Sequence, residues 1–252
     1  MEQTIRAVVL RRREQGESDR RLTLLSVELG KVDAMARGAK KATSRLAAVS
    51  EPLTVWRFTV AFSKRNRYIT QVQPESAFPK LRTDYHRLTF AVSLTELYAG
   101  LLPWEHPAPD EFDLLFQSLQ HLNDSGHPLP VYVWSACRLL AISGFQPNFE
   151  ACEVWSLPDG SRRCWLSPSQ GGSISSDSFV PADRFQASYE AVIAIDRMFE
   201  LEAPPKNLKP AIECLELLFP FWKNIIDAPI PATQLALSEA KGTEALILPK
   251  RV

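Results

Sequence analysis

Polar and apolar residues alternate with a period of two in the first third of the chain, as in strands that bury one face. The clearest case is the run LTVWRFTVAF, residues 53–62. Clusters of Gly, Ser and charged residues separate such runs and indicate turns. The pattern predicts strands at Thr4–Arg12, Arg21–Leu29, Lys31–Arg37, Leu53–Phe62 and Tyr68–Val72. Short strands in such close succession are typical of a small barrel.

From Thr83 onward, apolar residues recur at spacings of three and four, the pattern of helices with one buried face. Helices are predicted over residues 88–101, 112–122, 131–142, 184–200 and 210–226. The third of these, VYVWSACRLLAI, is apolar almost all round, which favours a central position in a bundle. The periodicity therefore predicts a barrel domain over residues 1–82 and an α-helical domain over residues 83–235.

Two stretches show neither the strand periodicity nor the helix periodicity. Residues 145–183 are rich in Gly, Ser and Pro and contain two strand-like pieces, Val154–Leu157 and Arg163–Leu166, so an insert is predicted at 148–182. The chain from Ala228 contains Pro229 and Pro231 and shows no apolar period. It is expected to be extended or disordered, with a flexible tail at 236–252.

Charge is distributed unevenly along the sequence. The whole chain has 29 basic and 29 acidic residues, but residues 1–82 have 17 basic and 8 acidic ones, a net charge of +9. Residues 83–252 have 12 basic and 21 acidic residues, a net charge of −9. A basic part of this kind can bind a polyanion although the whole chain is neutral.

Phosphate binding requires cations along a groove, and base stacking requires exposed aromatic rings beside them. Trp56, Phe58 and Tyr68 are the candidate stacking residues, although strand alternation would equally place Trp56 and Phe58 in the barrel core. The alternative interpretation of the cations is that they are ordinary surface residues that interact only with water. The candidate cations are Arg11, Arg12, Arg13, Arg20, Arg21, Lys31, Arg37, Lys40, Lys41, Arg45, Lys64, Arg65 and Arg67.

No catalytic constellation accompanies these cations. Glu17 and Asp19 lie in a turn with no nucleophile or metal-binding partner, so a capping or ion-pairing role is expected. Gly30 and Gly38 fit neither nucleotide-binding glycine pattern, and Gly38 is expected to allow a close backbone approach. The segment from Glu14 to Arg45 therefore indicates a binding surface, with no catalytic residues and no cofactor.

The same segment resembles a known family. The run VLRRREQGESDRRLTLLSVELGKVDAMARGAKK, followed by SRLAAVSEPLTVWRF, is similar to the opening of RecO, the bacterial recombination mediator. The shared elements are Gly16–Arg20, Leu22–Leu25, Gly30–Val32 and Ala36–Lys40. The resemblance is specific over residues 8–82, and further on it covers mainly the order and lengths of the elements. It implies that the barrel is an OB-fold, whereas the pattern alone leaves an SH3-like barrel equally open.

The resemblance also implies a function. A RecO-like protein would bind single- and double-stranded DNA, anneal complementary strands, and help RecA replace single-stranded DNA-binding protein. The implied protein partners are RecR and the C-terminal tail of single-stranded DNA-binding protein. The alternative is a non-enzymatic adaptor whose OB-like module binds a protein or RNA. A nuclease is less favoured, because the basic part has only 8 acidic residues and they are scattered.

Many members of the family bind zinc in the insert through two C-x-x-C pairs. This chain keeps Cys152, but Trp155 occupies the partner position, and Ser175 and Ser178 stand at the second pair. Cys164 lies elsewhere in the sequence, and serine is a poor zinc ligand. We therefore expect a degenerate zinc-finger-like insert without metal. Its packing is assigned to Trp155, Leu157, Trp165 and Leu166.

The remaining features bear on cellular location. Four scattered cysteines do not make a disulfide framework, and Cys137 and Cys214 are expected in the helical core. The first residues, MEQTIRAVVLRRR, do not resemble a signal peptide. No run approaches the roughly 20 apolar residues of a membrane helix. A cytoplasmic protein without a membrane partner is expected, and the family resemblance implies association with the nucleoid.

Overall fold

A computed structural model of the chain describes residues 2–41, 43–64, 66–175 and 180–247. The chain divides into two compact units, Met1–Asp124 and Ser125–Val252. The change from strands to helices at residue 83 therefore lies inside the first unit. A separate barrel domain ending at residue 82 stays a prediction.

The first unit contains a closed five-stranded barrel with the strand order β1-β2-β3-β5-β4. β1 pairs antiparallel with both β2 and β4, and β3 meets β5 in parallel through Met35 and Tyr68. This order is that of an OB-fold, which confirms the expected fold and excludes the SH3-like alternative. The strands are β1 Glu2–Gln15, β2 Asp19–Ser26, β3 Gly30–Ala36, β4 Val55–Phe62 and β5 Arg67–Ser76, with helix α1 Arg45–Val49 between β3 and β4.

The barrel interior follows the period-two pattern. Phe58 and Val60 are fully buried in it, and half-buried Trp56 packs against it. A bulge between Val9 and Arg11 shifts the register of β1, and Leu10 at the bulge is buried outside this interior cluster. The interior residues are Ile5, Ala7, Val9, Leu22, Leu24, Val32, Ala34, Ala36, Ala39, Phe58, Val60 and Ile69.

Three helices complete the first unit: α2 Pro79–Thr83, α3 Tyr85–Leu101 and α4 Pro109–Asp124. The side chain of Asp84 caps α3 by accepting from the N–H of Arg87 at 3.0 Å. α3 packs against β1, and this explains why Val8, which points away from the barrel interior, is completely buried.

The second unit is built around α5 Pro128–Ile142, which is buried on nearly all sides as the sequence predicts. The indole N–H of Trp134 in α5 donates to the carbonyl of Leu201 at 2.9 Å. Cys137 and Cys214 are completely buried, as expected. The other helices are α6 Tyr189–Met198, α7 Ala211–Ile225 and α8 Pro231–Ile247.

The insert forms a small antiparallel sheet in which the rings of Trp155 and Trp165 are in contact, with centroids 5.5 Å apart and planes tilted by 35°. The helix predicted from residue 184 begins later, because Phe185–Ser188 pairs with the sheet and Ser188 caps α6 through the N–H of Ala191. The likeness of this sheet to a zinc finger stays a prediction. Its strands are β6 Trp155–Ser156, β7 Arg162–Ser167, β8 Gly172–Ser173 and β9 Phe185–Ser188.

The prediction of an extended or disordered C-terminal segment is wrong for residues 231–247, which form α8. Thr233, Ala236, Leu237 and Ala240 are buried on one face of that helix. Small residues make this face, so its apolar signal in the sequence is weak. The last five predicted tail residues, 248–252, lie outside the described residues. Throughout the described ranges, each helix is too short or too polar to cross a bilayer.

Candidate nucleic-acid interface

The turn between β1 and β2 is tied to the segment that follows β3. Asp19 Oδ1 accepts hydrogen bonds from the N–H of Gly38 at 2.8 Å and from the hydroxyl of Ser18 at 3.1 Å. The N–H of Lys40 donates to the carbonyl of Ser18 at 2.9 Å. The Gly38 N–H is the main reason that the pKa of Asp19 lies below its ordinary value of 3.8. Asp19 thus has the structural role that the sequence predicts.

Gly30 and Gly38 have different roles, and that of Gly38 is not the expected one. Gly38 has a φ of +67°, and a Cβ placed on it would make only ordinary contact with Lys41, so the backbone conformation requires glycine there. The close approach occurs at Gly30, where a Cβ would lie 1.6 Å from the carbonyl oxygen of His106. The expectation of a close approach at Gly38 is therefore wrong.

An open groove of about 340 Å³ lies on the barrel surface beside this turn. At the groove the guanidinium carbon of exposed Arg37 lies 4.1 Å from the ring centroid of Tyr68, in cation–π contact. Arg21 reaches Asp33 at 3.7 Å and stays partly exposed. The groove is lined by Gln15, Gly16, Asp19, Arg21, Met35, Arg37, Asn66 and Tyr68.

Several predicted cations are exposed near this groove or on the adjoining loops. Arg12 and Lys40 are in ion pairs with Glu51 and Glu14 respectively, the second at 3.0 Å. The other exposed cations form no ion pair within the described part of the chain, so they can donate hydrogen bonds to phosphate oxygens without losing a carboxylate partner. These are Arg13, Arg37, Lys41, Arg45 and Lys64, while Arg65 lies outside the described residues.

Lys31 is the clearest correction to the predicted site. It is only 4% exposed, and its Nζ donates to the carbonyl of Ala99 at 2.8 Å and lies 4.6 Å from the ring centroid of Trp104. Burial, followed by repulsion from Arg11, lowers its pKa. Lys31 therefore binds the C-terminal end of α3, where the helix dipole favours a cation, and is not a phosphate contact.

Two other predicted cations are also committed to internal contacts. The side chain of Arg20 is 16% exposed, donates to the carbonyl of Ala47 at 3.3 Å and also bonds Ser50. Half-buried Arg11 donates to the carbonyl of Glu96 at 3.4 Å. Their main role is to hold the loops and α3 on the barrel.

Tyr68 is the one predicted stacking residue that lines the groove. Phe58 is fully buried, and Trp56 packs against the barrel core, so the alternative interpretation of that strand applies to both. Next to Tyr68, Arg67 pairs with Glu105 at 2.9 Å.

The sequence pattern misses Trp104. This residue lies in the segment PWEHPAP between α3 and α4, where no periodicity marks a role, and it is 51% exposed. Its backbone pairs in parallel with Lys31 of β3, and the N–H of Glu105 donates to the carbonyl of Lys31 at 3.0 Å. A Trp in a proline-rich loop was the available signal, but its position on the barrel depends on contacts that are distant in sequence.

The insert brings Cys152 and Cys164 close enough for each thiol to influence the pKa of the other, although they are apart in sequence. Burial raises the pKa of both thiols. Ser175 donates to Glu153 at 2.6 Å, whereas Ser178 lies outside the described residues. Across the described ranges, no three metal-binding side chains come together. Two thiols alone do not complete a tetrahedral zinc site, which is the basis for expecting no metal here. The absence of metal stays a prediction.

Comparisons with known proteins agree with this barrel and its helical continuation. The family profile described as "Recombination protein O N terminal" matches residues 1–78, and "Recombination protein O C terminal" matches residues 82–219. The chain belongs to the recombination protein O family. Within this family, similar proteins carry the name DNA repair protein RecO.

The relatives differ in how much of their length is matched. The protein of a Nocardioides species is 34% identical over 81% of this chain and 88% of its own length. That of Desulfitobacterium hafniense is 36% identical over 67% of this chain, and that of Bacillus pumilus 33% identical over 58%. These two matches span 61% and 57% of the relatives' own lengths.

Proposed function

We propose that this protein is a non-enzymatic mediator of DNA repair and recombination. It binds single- and double-stranded DNA through the barrel and anneals complementary strands. Together with RecR it helps RecA displace single-stranded DNA-binding protein, whose C-terminal tail is a further partner. Membership of a family whose relatives are named DNA repair protein RecO supports this proposal.

The observation that carries the proposal is the Arg37–Tyr68 pair at the barrel groove. The guanidinium lies 4.1 Å from the ring centroid, so a cation and an aromatic ring are presented together beside an open groove. Single strands are bound by this combination, since the cation meets a phosphate and the ring meets a base. Lys41 and Arg45, both exposed, extend the positive charge away from the groove.

The mechanism is electrostatic. Residues 1–82 carry a net charge of +9, which lowers the repulsion between two phosphate backbones brought to the same surface. Annealing then requires no bond to be made or broken. In this proposal residues 1–82 act as the DNA-binding domain, and residues 83–235 recruit the protein-coated strand.

The test is fluorescence anisotropy of a labelled single strand at several salt concentrations. It compares the wild type with Arg37→Glu/Lys41→Glu, two exposed cations outside the internal ion pairs. Lys206→Glu/Lys209→Glu, at exposed positions of the second unit, changes net charge equally and is the matched control. We expect the first variant to bind at least about tenfold more weakly at low salt. Its salt slope should fall by about 0.7 per lost phosphate contact, roughly 1.4 in all.

Annealing of a complementary strand is followed in the same samples, and it should be lost together with binding. Equal weakening by both variants would show that net charge alone matters and would contradict a site at the groove. A wild type that binds no strand at low salt would overturn the proposal and favour the adaptor that binds a protein.

A further inference from the structure

We infer that the DNA site continues along the edge of β3 to Trp104, whose indole stacks on a base of a single strand. The inference rests on the proposed function and adds to it a contact outside the five barrel strands. The stacking contact should also favour single-stranded over duplex DNA, because a base within a duplex is already stacked between its neighbours and offers no free face to an indole.

The register of β3 places Trp104 and Tyr68 on one surface. Tyr68 pairs with Met35 and Trp104 pairs with Lys31, both in parallel and at positions of β3 that alternate with the core residues Val32, Ala34 and Ala36. Both aromatic residues therefore stand outside the barrel beside the same strand. Four residues of β3 separate the two pairing positions, a distance of about 13 Å at 3.3 Å per residue.

A single exposed aromatic residue on a surface needs no function. Trp104 differs because contacts of both its ring and its backbone fix its position. The Lys31 ammonium lies 4.6 Å from the ring centroid, and that ammonium is itself fixed by the carbonyl of Ala99. The backbone is seated against Gly30 by the contact of His106. One ring face thus rests on a buried cation while half of the residue stays exposed, which leaves a preorganised surface for a base.

One cation of β5 contacts the loop that carries Trp104. Arg67 adjoins Tyr68 in β5 and donates to Glu105, the neighbour of Trp104, at 2.9 Å. The Glu105 side chain is 60% exposed and that of Arg67 24% exposed, so water reaches the carboxylate and weakens the pair. A phosphate bridging the two aromatic positions can therefore replace Glu105 at Arg67. Tyr68, Arg67 and Trp104 then form a path of ring, cation and ring that a strand of a few nucleotides can follow.

The test compares binding of single-stranded and duplex DNA by Trp104→Ala and Trp104→Phe. Losing one base stack should weaken single-strand binding about tenfold in Trp104→Ala and less in Trp104→Phe, with duplex binding unchanged. Tyr85→Ala is the matched control. Tyr85 is 58% exposed at the opposite end of α3, so its loss should alter neither affinity. The strand should also quench tryptophan fluorescence in the wild type and quench it less in Trp104→Phe.

The outcomes separate this inference from the proposed function. If the wild type binds no DNA, the proposed function fails. If it binds, and Trp104→Ala binds single strands as well as the wild type does, the inference is wrong and the function stands. If Trp104→Ala loses duplex binding as well, the substitution has disrupted the loop. The variant Trp104→Phe then tests the stacking inference. Quenching by a strand that is as strong in Trp104→Phe as in the wild type would then overturn the inference.

Discussion

At the scale of single residues, Asp19 connects the most distinctive sequence motif to the proposed site. Its carboxylate holds Gly38 and Ser18 while lying in the lining of the groove, beside Arg37. A carboxylate repels phosphate, but the hydrogen bonds of Asp19 position the segment that presents the cations. The Asp19 carboxylate therefore has a structural role and is not a DNA contact.

We predict that Asp19 makes stability depend on pH in the acid range. Because its folded pKa lies below 3.8, the unfolded state binds more protons there, and its contribution is lost as pH falls below 3.8 through the folded pKa. Above about pH 5 the contribution is complete. Urea denaturation of the wild type and Asp19→Asn should differ at neutral pH and converge in acid.

Asp19→Ala removes the acceptor for the Gly38 N–H and should stay less stable than the wild type at every pH. Glu17→Gln, which removes an exposed carboxylate from the same turn, is the charge-matched control and should keep the stability of the wild type at neutral pH. A constant difference between the wild type and Asp19→Asn across the acid range would contradict the role given to the carboxylate.

At the scale of elements, the loop after α3 packs directly against the start of β3, where His106 contacts Gly30. We predict that Gly30→Ala destabilises the protein by more than about 2 kcal/mol, since it adds a clash with His106 to the cost of a positive φ. Gly16→Ala is a matched control, because Gly16 has a φ of +63° and no atom within 4 Å of its added Cβ. It should cost only about 1–2 kcal/mol.

Urea denaturation measures both variants. Equal losses would mean that the loop moves away freely, and that Trp104 is not held as rigidly as the stacking inference requires. A larger loss in Gly30→Ala, together with weaker single-strand binding, would link the seating of the loop to the site.

The same elements show what the sequence can and cannot predict. Strand alternation was sufficient for the five barrel strands, because one face of each strand enters a common core. The sequence pattern cannot reveal that Lys31 is buried, because its burial depends on α3 and Trp104, which approach β3 from a distant part of the chain. The apolar pattern does not reveal α8, because its buried face is built from small residues such as Ala236 and Ala240, which give little apolar signal.

At the scale of the whole molecule, zero net charge conceals two parts of opposite sign. Residues 1–82 carry +9 and residues 83–252 carry −9, so repulsion between whole molecules is weak while their unlike parts attract. A single strand and the acidic part of a second molecule are both polyanions that can occupy the basic surface. DNA binding and self-association should therefore compete.

We predict reversible self-association at low ionic strength. Sedimentation velocity should show associated species at about 0.01 M salt, where the screening length is about 30 Å, and monomers at about 0.15 M, where it is about 8 Å. A single-stranded oligonucleotide should reverse the association at low salt. Association that increases with salt would instead indicate contacts between apolar surfaces and would contradict the electrostatic explanation.

The two charge-reversal pairs separate charge asymmetry from net charge. Arg37→Glu/Lys41→Glu changes the basic part from +9 to +5, and Lys206→Glu/Lys209→Glu changes the acidic part from −9 to −13, so both variants have a net charge of −4. If net charge governs association, the two variants behave alike. If attraction between unlike parts governs it, association weakens much more in the first variant, which also loses DNA binding. The same basic surface then accounts for both the competition and the binding.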